Sequence, residues 1–321
     1  MSNLESSSPL SESSPFSSLP PGDHLYRGLI RELNMRLVVA LCPELCRDAA
    51  RRHKASPAAA CALARGMVSG VLLATLSKTE ERVTIQIQSN GPLRGLSVDA
   101  YGDGLVRGFP HAPQASLEAS MAKRQRLAPL LGRSGVVHVV RDIGLRDRYQ
   151  GQVDFVTAEV DEDVEAYLRQ SEQIPSALGC EVTMDADGTI VSAGGVLVQS
   201  MPDSPEETKH HLREVQHMLR SGELYELLKT GPRSAKDLAK LVAGKYEGSL
   251  EIFDDRPLRF QCRCDRNRIA AMIGGLEIAD LDEMIAEGQA EVSCNYCAQV
   301  YTIDRDELVR LRQARPQREQ N

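Results

Sequence analysis

Four cysteines near one end of the chain constrain its folding more than any other feature. Cys262 and Cys264 are separated by one residue, Cys294 and Cys297 by two, with a long stretch between the pairs. Two close pairs on separate turns can bring four thiolates to the corners of a tetrahedron around zinc, which prefers sulfur at about 2.3 Å. These four are therefore the candidate ligands of a Zn2+ ion. Between the pairs, Asp280 to Gly288 predicts one capped helix. After them, Val300, Tyr301 and Ile303 predict a strand running into a helix capped by Asp304. The resulting zinc-binding unit, 257–315, is too small to be secure without its metal.

Most four-cysteine zinc sites are permanent structural knuckles, and that reading stays open here. A CxC pair is nevertheless unusual, because a disulfide across it closes a small, strained ring of the labile and regulatory kind. Arg259, Arg263, Arg266 and Arg268 crowd this pair and could hold its sulfurs as thiolates, the form that oxidants attack, or could equally form a solvated face. The first 24 residues lack Lys and Arg and contain no apolar run of signal-peptide length. A cytoplasmic location is therefore expected, where clustered cysteines signal metal or redox chemistry more often than structural disulfides.

The chain has 321 residues, enough for two folded units, and its 42% hydrophobic and 26% charged residues fit neither global disorder nor a polytopic membrane protein. A net charge of -7, no Trp and 4% aromatics leave little with which to grip or stack on nucleic acid, so none is expected as a partner. Residues 1–24, with nine Ser and four Pro in the first 22, are expected to form a disordered tail, as is 316–321. The apolar run from Ser56 to Leu76 is long enough to span a membrane, but Arg65 near its middle favours a buried core helix, and no membrane is expected. Ser56 and Pro57 mark its start, and Gly66 and Gly70 would admit a close neighbour.

Beyond that helix the period falls to two. Val83, Ile85 and Ile87 alternate with polar residues, and Val136–Val140, Gln152–Thr157 and Thr189–Gln199 read as further strands. Asn90-Gly91, Asp103-Gly104 and Asp187-Gly188 supply hairpin turns. The fold class is α+β: an N-terminal core domain of antiparallel sheets with helices, 25–202, then a helical linker, 203–256, then the four-cysteine domain. The linker should start at Ser204, Pro205 and Glu207, break at Ser221-Gly222, and continue with helices from Glu223 and after Ser234. Its helices are polar on most sides, which predicts a metastable segment that depends on a neighbouring surface.

With the cysteine spacing, the runs SNGPLRGLSVDAYGDGLVRGF, YQGQVDFVTAEVDEDVEAYLRQSEQIPSAL and SAGGVLVQSMP are similar, in the same order, to motifs of the redox-regulated heat-shock protein 33 family. The resemblance covers about residues 25 to 312. Departures are the Ser-rich leader and Asp265-Arg266-Asn267-Arg268, where the family commonly has Ser after the second Cys. The resemblance implies an ATP-independent holdase, not an enzyme, that binds one Zn2+ per chain and is inactive when reduced. Oxidation to disulfides Cys262–Cys264 and Cys294–Cys297 would expel zinc, unfold the switch domain and linker, and expose a surface for unfolding client proteins, with a homodimer as the activated form.

Two other functions compete: a thiol-disulfide oxidoreductase that turns over at a folded CxC or CxxC, and a constitutive zinc-binding interaction module. Cys42 and Cys46, four apart, are expected to be packed thiols rather than a second metal site, and Cys61 and Cys180 to be core residues. His210, His211 and His217 are expected on the wet side of a charged helix, and His138 within a strand. No catalytic constellation or phosphate loop stands out, and no catalytic or cofactor-binding residue is assigned.

Overall fold

The computed structural model describes residues 22–76, 81–117, 123–142, 149–231 and 234–314. Both expected tails lie outside that range, apart from residues 22–24 of the first. Strands β1 (His24–Ile30) and β2 (Met35–Leu41) lead into helices α1 (Pro43–Arg52) and α2 (Pro57–Ala74). Next come β3 (Arg82–Ser89), β4 (Gly95–Tyr101), β5 (Leu105–Pro110), the single turn α3 (Ala128–Leu131), β6 (Gly135–Asp142) and β7 (Tyr149–Asp154). Helix α4 (Val160–Gln170) and the long hairpin β8 (Ser176–Met184) and β9 (Ile190–Ser200) complete the core. Helices α5 (Glu206–Ser221), α6 (Glu223–Thr230) and α7 (Ala235–Ala243) then lead to β10 (Leu250–Pro257) and the two-residue β11 (Arg259–Phe260). The last unit contains α8 (Arg266–Gly274), α9 (Ile278–Glu287), the hairpin β12 (Gln289–Ser293) and β13 (Val300–Asp304), and α10 (Arg305–Gln313).

Two sheets make the core, in the orders β10-β1-β2-β9-β8 and β11-β5-β4-β3-β6-β7, antiparallel throughout except where β11 runs parallel to β5. The α+β expectation holds. Helix α2 lies buried between the sheets, so its apolar surface meets protein on all sides. Ser56 caps it by accepting from the Ala59 amide, and Pro57 opens its first turn. A Cβ on Gly66 would lie 2.9 Å from Leu96, and one on Gly70 2.9 Å from Val98, so the missing side chains let β4 press against the helix. Arg65 is 2% exposed and binds Glu159 at 2.8 Å and Asp161, which explains how a charge survives in so apolar a helix.

The second face of the five-stranded sheet is apolar, and Met35, Leu37, Val39, Ala177, Val196 and Val198 lie buried under α5, α6 and α7. Each of these helices buries one narrow stripe there: Val215 and Leu219 on α5, Leu224 and Leu228 on α6, and Leu238 and Val242 on α7. Three linker expectations need correction. Helix α5 starts at Glu206 without a side-chain cap, because the Ser204 hydroxyl instead donates to the Asn34 and Met201 carbonyls at 2.9 and 2.6 Å. Residues 250–257 form no helix; the period-two run Leu250-Glu251-Ile252-Phe253 adds a strand to the β1 edge. His211 is buried: its ring sits edge-on to Tyr246, and Nε2 meets the Val242 carbonyl at 3.1 Å. His210 and His217 do face solvent, and His138 is half-buried in β6.

Turn chemistry also differs at one site. Gly104 and Gly188 have positive φ, as their hairpins require, but between β3 and β4 it is Arg94 and Gly95 that adopt it. Gly91 is needed for another reason, since a Cβ there would meet the Leu131–Gly132 backbone at 2.3 to 2.4 Å.

Candidate metal centre and redox site

The cysteine unit is built around a core of only seven buried apolar residues, among them Ile273, Leu281, Ile303 and Leu308. Cys262 and Cys264 follow β11, and Asp265 then caps α8 by accepting from the Arg268 amide at 2.9 Å. That helix was not foreseen, and α9 begins at Ile278 rather than Asp280. Cys294 and Cys297 occupy the tight turn of the β12–β13 hairpin. There the amides of Cys297 and Ala298 bond the Cys294 carbonyl, and Ala298 takes a left-handed φ of 56°. Asp304 caps α10 as expected.

These turns bring all four sulfurs within 4.8 Å of one another. Cys262 Sγ lies 3.7 Å from Cys294 Sγ, and Cys264 Sγ 3.3 Å from Cys297 Sγ. A tetrahedron with arms of about 2.3 Å has corners about 3.8 Å apart, so the donor set fits one metal ion. Cys42 and Cys46 lie in the core with Cys61 and Cys180, all four buried away from this cluster. Burial pushes the Cys61 thiol up to about 12, which makes it unreactive.

Three of the four arginines near the CxC pair play other parts. Arg266 binds Glu307 and the Thr302 carbonyl, Arg268 binds Asp265, and the Arg263 guanidinium stacks on Tyr101 at 4.1 Å. The cation that reaches sulfur is Arg107 on β5, whose Nη1 is 3.5 Å from Cys262 Sγ. Asp99 holds Arg107 through Nε and Nη2 at 3.1 and 2.7 Å. Burial opposes ionisation of Cys262, but the Cys264 amide and Arg107 outweigh it and bring the thiol down to about 7. Burial raises Cys294 and Cys297. The Tyr301 hydroxyl donates to Cys264 Sγ at 3.2 Å. An open cavity of about 250 Å³, lined by Arg52, Phe260, Cys262, Cys264, Cys297 and Tyr301 among others, admits small molecules to the sulfurs. The sequence reads Tyr301 only as a strand residue and gives no sign of Arg107, which lies on a core strand far from the cysteines in the chain.

An α+β core carrying a helical cover and a small four-thiol unit defines a two-part protein with a metal-competent cysteine cluster. The profile of the Hsp33 protein family matches residues 23–304. The chain is 34% identical over 293 residues to the 33 kDa chaperonin of Geobacillus kaustophilus, covering 91% of this chain and 98% of that one. It is 32% identical over 292 residues to the 33 kDa chaperonin of Bacillus subtilis, covering 90% and 98%. The crystal structure of the 33 kDa chaperonin (heat shock protein 33 homolog) from Thermotoga maritima superposes with a TM-score of 0.75 at 27% identity, covering 90% of this chain and 97% of that one. The chain belongs to the Hsp33 family, and that membership supports a chaperone role.

Proposed function

We propose that this protein is a redox-regulated, ATP-independent holdase of the cytoplasm, silent while its cysteines are reduced and holding zinc. Cys262, Cys264, Cys294 and Cys297 are the ligands in this reading, one Zn2+ per chain. The observation that carries it is the convergence of four sulfurs at spacings near a tetrahedral edge, in a unit whose apolar core is too small to stand alone. When bound, the metal ties both turns together and supplies folding free energy, on the order of 10 to 16 kcal/mol in small zinc peptides. Whole domains are stable by only about 5 to 15 kcal/mol, so a cluster that can no longer hold metal leaves little to keep residues 257–314 folded.

Peroxide is a sufficient oxidant. In each pair two sulfurs give up two electrons and form an S–S bond; one peroxide accepts the electrons, its O–O bond breaks, and with two protons it becomes two waters. We assign the pairs as Cys262–Cys264 and Cys294–Cys297. Disulfide sulfurs carry no thiolate charge, so the oxidised cluster cannot bind the metal. The metastable linker, 203–256, follows the switch domain's loss because its helices depend on borrowed apolar surface. Its release uncovers the sheet face beneath α5, α6 and α7 for unfolding client proteins, and the activated form dimerises. No step is enzymatic.

The test is light scattering from a denaturant-unfolded client, with this protein added zinc-loaded and reduced, or after peroxide. Suppression by the oxidised form alone, together with zinc release and loss of helical circular dichroism, is the expected result. Equal suppression by both forms would favour a constitutive interaction module, and turnover of a dithiol substrate by a protein that stays folded would favour an oxidoreductase.

A further inference from the structure

One residue from within each cysteine pair touches the core. Tyr296, inside the CxxC turn, has its ring 4.0 Å below the Arg107 guanidinium and edge-on to Phe109 with centroids 5.1 Å apart. Its hydroxyl meets Asp99, which also holds Arg107, and its carbonyl accepts from His53 Nε2 at 3.2 Å. Arg263, the single residue of the CxC turn, stacks on Tyr101, which is 5% exposed at the end of β4. Each cysteine pair thus presents one side chain to the same sheet.

We infer that Arg263 and Tyr296 are positioning residues that transmit the state of the cysteine cluster to the core, docking the four-thiol unit only while each turn keeps the shape set by four converging sulfurs. This rests on the redox-switch reading and adds to it a contact through which the switch is read. Drawing the flanking sulfurs of a one- or two-residue turn from a four-sulfur cluster, all within 4.8 Å, to a disulfide length of about 2.05 Å re-sets the side-chain torsions that shape the turn. Tyr296 and Arg263 then leave their partners, although neither is itself oxidised. The parallel pairing of β11 with β5 lies beside both contacts, where the Arg259 and Gln261 amides donate to Gly104 and Val106 at 3.1 and 3.0 Å. Those two amides report docking directly.

The experiment uses the full reduced, zinc-loaded chain with Tyr296 and Arg263 both changed to Ala, measuring zinc per chain by colorimetric chelation after thiol titration, and hydrogen exchange at Arg259 and Gln261. The expected result is one zinc retained and exchange at both amides faster by about tenfold or more, as loss of two guanidinium–aromatic contacts implies. Peroxide should also release the zinc faster than from wild type. Zinc retained with wild-type exchange would overturn the inference. Should the double variant bind less than one zinc, Phe109→Leu decides, since Phe109 lies on the core side: accelerated exchange with full zinc supports docking through Tyr296, and unchanged exchange refutes it. Client suppression by oxidised wild type is scored separately, so its absence would remove the chaperone reading while leaving the exchange comparison intact.

Discussion

Leu219→Ala should loosen the linker without touching a cysteine. Leu219 is 2% exposed on α5 and lies over Gly179 of β8, where a Cβ would come within 2.9 Å of its side chain. The strand has been left bare at the one point where the leucine seats. Truncating a buried leucine costs about 2 to 5 kcal/mol, and at about 3 kcal/mol the equilibrium between docked and released α5 shifts by roughly 150-fold. Val215 is the other fully buried apolar anchor on this helix; its polar anchors are the Thr208 hydroxyl to the Leu33 carbonyl at 2.6 Å, Gln216 to Glu165 at 2.7 Å and the Arg220 ion pair with Glu165 at 2.8 Å. Hydrogen exchange in the reduced, zinc-loaded variant should show α5 amides exchanging about 100-fold faster than wild type while the β3 and β6 amides keep their protection. Light scattering should show partial suppression of client aggregation before any oxidant is added. As a control, Lys209→Ala removes only an exposed pair with Glu206 and should change neither reading. Exchange in α5 within twofold of wild type would refute the idea that this helix is held by a few borrowed contacts.

Two further outcomes follow from buried charge. Arg65→Met would leave Glu159 and Asp161 buried without their cation, which costs about 3 to 5 kcal/mol, and thermal unfolding monitored by circular dichroism should fall accordingly. Burial raises the Asp23 carboxyl from 3.8 to about 6, despite its bonds from the Glu44 and Leu45 amides. Its folded pKa is therefore the higher one, so its contribution is complete below about pH 4 and lost as pH rises through about 6, by at most roughly 3 kcal/mol. Urea unfolding should show Asp23→Asn gaining on wild type by up to that amount between pH 4 and 7, and a gap that stays constant with pH would remove this account.

The pattern of what was legible in the sequence follows the range of the forces involved. The Ser56 cap, the Gly66 and Gly70 contact surface and the Asp304 cap depend on neighbours in the chain or on a missing side chain, and each reads directly from residue type. The four cysteines were legible as a set because metal-site spacing is itself local. Arg107 and Tyr296 were not, because their meeting depends on β5 and the CxxC turn arriving at one place from 189 positions apart. The four arginines beside the CxC pair looked electrostatically apt, yet Arg263, Arg266 and Arg268 bind a ring, a carbonyl or a carboxylate instead. His211 looked like a surface residue of a charged helix, and only the arrival of α7 and Tyr246 buries it. Strand β10 was hidden in a stretch dominated by helical signals, since an edge strand needs a partner that the local sequence does not show.

That edge strand bears on how a change at the sulfurs could travel. Only Leu258 and Gln261 separate β10, β11 and Cys262, so the chain offers no slack between sheet edge and cluster. Along β10 no residue is fully buried; alternate residues are half-buried and the others exposed. Its attachment to β1 is therefore ladder hydrogen bonds, about 1 kcal/mol each in water, together with the half-buried Arg27–Asp254 ion pair at 3.0 Å and the more exposed His24–Asp255 and Arg31–Glu251 pairs. Helix α7 beyond it buries Leu238, Ala239, Val242 and Ala243 against the sheet. Fraying that starts at Cys262 thus meets its first barrier at Leu258, which is 5% exposed in the main core with Phe260 packed against it, then the β10 ladder and ion pairs, and only after them the apolar stripe of α7. Release of α5, α6 and α7 by a change at the sulfurs therefore requires Leu258 to leave the core first, which makes that side chain the point where the two regions are tied.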